Sequence, residues 1–390
     1  MCYVIGERMR ESVRKSFMLC IVLFVLTLLT GCNTEQGDES KETAAGTVTD
    51  VAKEVQAQPA TKKITDMAGR EVEIPADIKK VYCSSPVGTI IIYTISPDLL
   101  AGLNYEASDV EKKYLLPSFS SLPVLGGWYG KGNEGNLEEI AKAKPDIILN
   151  AGTITDDTVE FSDNLQQQLG IPVVFAGVDL LTMADSYNFL GELLGMQERT
   201  DELAAYVTET LTEVKDKVAG MKEEDKIRVY YAEAAQGLQT DPAGSSHTQI
   251  LDLLAGINVA DVEASSGYGR AEVTVEQLIA WDPDLIIAGF DAGYAEDGAA
   301  YDYMQADSVM KDLRAIKSGN IYEVPSAPFS WFDRPPSANM ILGVKWTAQI
   351  LYPDLFHYDL KEETKRFYKL FYFCDLTDAQ LDDLLSRSSR

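Results

Sequence analysis

From residue 61 onward the apolar and polar positions follow two alternating rhythms. The stretch ITDMAGREVEIP, residues 64–75, alternates polar and apolar residues on either side of Ala68-Gly69, the pattern of a hairpin. Short apolar runs follow, Lys79 to Cys83, AGLNY, Asp146 to Asn150 and IPVVFAG, with helical spacing between them at Val87 to Ile95, Leu137 to Ala143 and Asn164 to Leu169. Short apolar runs bounded by turn residues predict strands buried on both faces, and their alternation with helices predicts a parallel sheet covered on both sides. Residues 183–222 then run without proline, with Leu190, Leu193, Leu194, Leu203, Val207, Leu211, Val214 and Val218 on its apolar side. They predict one long helix whose weakest points are Gly191 and Gly195.

Beyond residue 222 the alternation restarts: IRVYYAEA, a helix Thr248 to Leu254, NVADV, a helix Val275 to Ala280, DLIIAGF, a helix through Met310 to Ala315, and NIYEVP. The expected fold is therefore α/β, two Rossmann-like lobes with parallel sheets (61–182 and 223–336) joined by one long α-helix (183–222). An aromatic-rich helical segment, 337–390, closes the chain.

One phrase is written twice. Residues 136–149 read NLEEIAKAKPDIIL and residues 274–287 read TVEQLIAWDPDLII, at corresponding helix-to-strand places of the two lobes. Asn136 and Thr274 suit the N-cap, and Glu139 and Gln277 three places later predict a capping box in each copy. Glu138 and Glu276 are thereby left to face outward. As anions near helix starts they are worth about 0.3–1 kcal/mol each.

Residues 1–60 break the rhythm. Arg8, Arg10, Arg14 and Lys15 precede the apolar run Phe17 to Thr30, too short for an ordinary membrane span, which together read as a secretory signal over residues 1–31. The run ends in Leu29-Thr30-Gly31-Cys32, which resembles a bacterial lipobox with Cys32 as the lipidated residue. Residues 32–60 are small, polar and charged, the composition of a disordered tether with a root-mean-square span of about 30 Å.

With 390 residues, 46% of them hydrophobic, the chain has material for two domain cores. Its formal charge of −27 repels phosphate backbones and excludes nucleic acid as a partner. Cys83 and Cys374 lie in apolar contexts and predict two buried thiols. His247 and His357 are the two histidines, too far apart to found a histidine-rich metal site, so no metal ligand is expected. No G-x-S-x-G elbow, Walker loop or H-E-x-x-H segment occurs, so no catalytic residue and no cofactor is expected and the chain does not read as an enzyme.

Ligands of two-lobed α/β proteins bind outside the carboxyl ends of the strands. The loops expected there carry Trp128, Tyr129, Tyr268, Trp331 and Phe332 beside Gly, Ser or Pro, together with Lys131, His247, Arg270 and Arg334. Flat faces with a few cationic donors suit a large, partly anionic, conjugated ligand.

The lipobox, the tether, the paired lobes and the phrase E-x-[IL]-x4-P-D-[IL]-I in each lobe resemble the class III substrate-binding proteins of bacterial ABC importers, from about Ile64 to Pro353. The resemblance implies a monomeric lipoprotein anchored outside the cytoplasm, which takes a small metal complex in its cleft and delivers it to an ABC permease dimer. It implies that Glu138 and Glu276 meet arginines of the two permease subunits. A ferric siderophore is the expected ligand, with cobalamin, haem and molybdate or tungstate as alternatives. Trp331-Phe332-Asp333-Arg334 followed by Pro-Pro, and Trp128 just ahead of the first docking Glu, resemble the cobalamin binders, whereas the C-terminal segment resembles iron-complex and molybdate binders.

Overall fold

The computed structural model describes residues 60–130, 132–263, 270–289 and 300–389. The expected signal, Cys32 and most of the tether lie outside the described residues. The first element is the hairpin of β1 (Thr61–Thr65) and β2 (Glu71–Pro75), in which Ile64 pairs with Val72. Asp66 closes its turn by accepting from the Ala68 and Arg70 amides at 3.1 and 2.9 Å. The same carboxylate accepts from the Phe175 amide at 3.0 Å and pairs with Arg70 at 3.0 Å, so the hairpin is fixed to the lobe behind it.

That lobe is a parallel sheet of β3 (Val81–Cys83), β4 (Ile147–Gly152) and β5 (Val173–Gly177), in that order. AGLNY, expected as a strand, contributes only the single bridge Leu103–Val124, and Leu100 just before it bridges Val81. In the second lobe β6 (Arg228–Ala232), β8 (Ile257–Asn258), β10 (Leu285–Ala288) and β11 (Ile321–Glu323) form a parallel sheet of order β11-β10-β6-β8. Beside it β7 (Gln239–Thr240) and β9 (Ala271–Glu272) pair antiparallel.

The repeated phrase folds twice into the same unit, helix Leu137–Ala143 before β4 and helix Val275–Trp281 before β10. Each helix ends on a non-glycine residue in the left-handed region, Lys144 at φ 51° and Asp282 at φ 40°. Each of those residues precedes a proline, which cannot continue the helix. The capping box expected in both copies forms only in the second, where Gln277 accepts from the Thr274 amide. In the first copy Asn136 caps Glu139, but the Glu139 side chain turns to Lys142 at 3.3 Å.

The expected long helix is two helices, Met183–Leu194 and Gln197–Val218, broken at Gly195 with φ 69°. Gly191 lets them close on each other, since a Cβ there would sit 2.0 Å from Thr200 Oγ1. The C-terminal helices then return to what came before. Helix Asn339–Leu351 is buried along nearly its whole length, and its one charged residue, Lys345, pairs with Glu363 at 2.7 Å. Helix Leu360–Tyr372 packs against helix Pro86–Ile95 of the first lobe: the Tyr93 hydroxyl donates to the Tyr372 carbonyl at 3.2 Å. Arg199 adds donors to the carbonyls of Thr94 and Leu370. One apolar core thus runs from Val81 in the first lobe through Leu203 and Val207 to Tyr231 in the second and Phe371 at the end.

Candidate functional site

The carboxyl ends of β6, β10 and β11 meet loops of the first lobe around a cavity of about 490 Å³. Tyr105, Tyr129 and Glu111 face it from the first lobe; Tyr231, Glu233, Arg270 and Arg334 face it from the second. Tyr105 and Tyr129 lie with ring centres 5.9 Å apart, and the Tyr105 hydroxyl donates to Glu111 at 2.9 Å. Burial and the neighbouring Glu111 charge keep the Tyr105 hydroxyl protonated well above the usual tyrosine range. These rings form a wall of flat apolar faces with polar tips.

Glu233 enters the site because β6 ends at Ala232 and the chain turns at once through Ala234, at φ 59°, back onto Gln239. Its Oε1 accepts from Arg270 Nε and from Arg334 Nη1, both at 2.8 Å. Arg334 also donates to Asp241 Oδ2 at 2.7 Å and to Asp333. Asp333 in turn accepts from the Tyr231 hydroxyl at 2.9 Å, and Asp241 from Ser245 at 3.0 Å. Three buried carboxyl groups therefore converge on one guanidinium, with a second beside it.

Charge follows from this geometry. Burial and the adjoining Asp333 push the Glu233 carboxyl up to about 9, more than the two arginines pull it down. Burial works against the Arg334 charge, but Asp333, Glu233 and Asp241 outweigh it and hold the guanidinium protonated above its ordinary range. His247, with Nδ1 3.7 Å from Asp333, is lowered by burial first and then by Arg334, and so is neutral at pH 7. One ligand atom each from Asp241, His247 and Asp333 lie within 4.8 Å of one another, a spacing that suits a metal ion. The Arg334 guanidinium bonds both carboxylates, so the cationic place in that group is already filled.

Of the residues expected in the cleft, Tyr129, Arg270 and Arg334 line the cavity, and His247 stands behind them against Asp333. Lys131 and Tyr268 lie outside the described residues. Trp128 does not line the cavity: its ring packs edge-on to Phe161 at 5.4 Å and covers Gly135, where a Cβ would sit 2.4 Å from the indole. Trp331 and Phe332 are corrected to core residues, 1% and 0% exposed. Helix Asn339–Leu351 passes so close that a Cβ on Gly343 would overlap the Trp331 carbonyl, and Phe332 packs on Tyr231 at 4.5 Å. Sequence reasoning missed Tyr105, Glu111, Tyr231, Glu233, Asp241 and Asp333. The signal that marks Glu233 is an acid directly after the buried run VYYA at the carboxyl end of β6.

Glu138 and Glu276 are both exposed in the first turns of the two repeated helices. Among the described residues no helix is long and apolar enough to cross a membrane.

Residues 128–328 match the family model described as periplasmic binding protein. An ABC transporter solute binding protein from Sulfurospirillum deleyianum has a similar structure, with TM-score 0.76 and 32% identity, covering 83% of this chain and 99% of that one. The "Uncharacterized ABC transporter substrate-binding lipoprotein YvrC" of Bacillus subtilis is 21% identical over 346 residues, 86% of this chain and 96% of its own. The "Probable siderophore-binding lipoprotein YfiY" of the same organism is 19% identical over 340 residues, 83% and 95% of the two chains.

Proposed function

The chain belongs to the periplasmic binding protein family, the substrate-binding proteins of ABC importers, and on that premise we propose that it captures a ferric siderophore between its lobes and hands it to a permease dimer. The observation that carries the ligand reading is the cavity itself: about 490 Å³, walled by Tyr105, Tyr129 and Tyr231, with Arg270 and Arg334 at one side. That volume falls in the range of small-molecule sites and is far larger than a small oxyanion such as molybdate requires. Tyrosine faces with fixed guanidinium donors suit a conjugated chelate that carries anionic oxygens. The likeness to a relative named for siderophore binding supports the same reading.

In this reading Glu138 and Glu276 present one carboxylate per lobe to the two permease subunits, and Cys32 holds the protein on the outer face of the membrane through a lipid. No chemical step is assigned to the site. His247 Nδ1 has no hydrogen-bond partner, so it activates no nucleophile through that nitrogen.

Thermal unfolding in the presence of ferric siderophores, haem, cobalamin and molybdate tests the ligand. A ligand at 100 times its dissociation constant adds about 2.7 kcal/mol. A shift with ferric chelates and none with the others is expected; a shift with haem or cobalamin alone would replace the siderophore assignment.

A further inference from the structure

Glu233 is an unusual residue for the wall of a binding cavity. One of its oxygens takes both arginines that face the cavity, while the other, Oε2, is buried without a partner that donates to it. Its surroundings are crowded with like charge. Asp333 and Asp241 both share Arg334 with it, and all three carboxyl groups are at most 2% exposed. Fully ionised, three buried carboxylates would face two guanidinium groups, with a bare oxygen among them. Such a group is stabilised by taking up a proton.

We propose that Glu233 is held as a neutral acid, its proton on Oε2 turned toward Asp241, and that this proton sets the charge which Arg270 and Arg334 offer to a ligand. It rests on the ligand-binding role proposed above and deepens it: the ligand presents an anionic oxygen to the arginine pair. With Glu233 neutral, Arg334 keeps the carboxylates of Asp241 and Asp333, and a ligand anion beside the two guanidiniums meets no charge on Glu233. With Glu233 ionised, the same anion is placed beside a fresh negative charge. The raised range of Glu233, about 9, and the hydrogen bond from Glu233 that helps Arg334 hold Asp241 low both agree with this arrangement.

The described groups around Glu233 leave a clear window in which to observe it. Tyr230 and Tyr231 of β6 are raised above 10 by burial and by nearby carboxylates. His247 is lowered below 6.5, Asp241 below 3.8, and Arg334 is raised. Arg270 stays charged throughout as a guanidinium. Between about pH 7.5 and about pH 10, Glu233 is the member of this group that changes charge. The sign is fixed by the direction of its shift: affinity for an anion is full below about 9 and falls as pH rises through it.

The test has two arms on the full-length protein. Infrared titration without ligand follows the carbonyl band of a protonated carboxylic acid. Wild type should lose one such band near pH 9; Glu233→Gln should lack it; and Asp241→Asn, which removes a neighbouring negative charge, should move the loss to lower pH. Absence of the band in wild type, or its persistence in Glu233→Gln, overturns the proposal. The second arm measures affinity for the ferric complex of 2,3-dihydroxybenzoate across the same range. Wild-type affinity should fall by up to about tenfold per pH unit above 9, and that of Glu233→Gln by less than about twofold. Equal slopes in the two proteins also overturn it. If the ferric probe binds neither protein, the siderophore reading fails and the infrared band alone decides the state of Glu233.

Discussion

Replacing Trp331 by alanine separates two roles for the same residue, a face for the ligand or a part of the core. The indole is 1% exposed, its Nε1 lies 3.4 Å from the Tyr368 hydroxyl, and its backbone carbonyl rests against Gly343. Truncating a buried Trp costs about 3–5 kcal/mol, as transfer and cavity contributions together. The compact unit from Gln58 to Arg390 has an unfolding entropy of roughly 0.7 kcal/mol/K at about 2.1 cal/mol/K per residue. The melting temperature should therefore fall by about 4–7 °C. Circular dichroism gives that shift, and titration with a ferric chelate well below the transition gives the affinity, which should stay within about threefold. Trp331→Phe, which keeps most of the volume, should recover more than half of the lost stability. A Trp331→Ala protein with unchanged melting temperature and affinity lowered by more than about tenfold would refute the reasoning.

Three further outcomes are expected. Glu138→Lys with Glu276→Lys should abolish uptake of a labelled ferric complex by cells and leave purified-protein affinity within about twofold, because both carboxylates are exposed and neither lines the cavity; normal uptake by the double variant would sink the docking role. Asp66→Ala should cost about 3–5 kcal/mol in denaturant unfolding, since it strips a buried carboxylate from Arg70 and from the Phe175 amide; a loss under about 1 kcal/mol would show the hairpin to be held otherwise. Cys83 is fully buried and burial raises its thiol, whereas Cys374 is partly exposed, so iodoacetamide on the native protein should label Cys374 slowly and Cys83 only after unfolding; equal labelling by mass spectrometry would contradict the packing.

What the sequence disclosed follows the physics of each feature. Strand–helix alternation and the doubled phrase are local patterns, and the α/β class and the two repeated helices were legible from them, because capping and the Pro-Asp stop act within a few residues. The loop SWFDRPP has no apolar period, so its aromatics read as exposed; their burial is decided by helix Asn339–Leu351 pressing Gly343 onto them, which is a tertiary event. The acids of the site were hidden for a similar reason. Glu233, Asp241 and Asp333 are up to 100 positions apart and become one cluster only when β6, the turn after β7 and the loop after β11 converge on Arg334. Trp128 misled because a Gly-rich loop next to a Trp suggests an open platform, yet Gly135 is small in order to admit that ring.

The return of the C-terminal helices to the first lobe bears on the order in which the chain can fold. Tyr93 waits for Tyr372, which lies 279 positions later, and Arg199 waits for Leu370. The core begun by the first lobe cannot be closed by its own residues; its last wall is supplied by helix Leu360–Tyr372. Contacts of such long sequence separation form late, because the loop-closure entropy must be overcome before they reward it. The native state is therefore out of reach until the final helices have emerged. Deleting residues 360–390 should then leave a product that degrades, where a protein of two independent lobes would leave the first one standing.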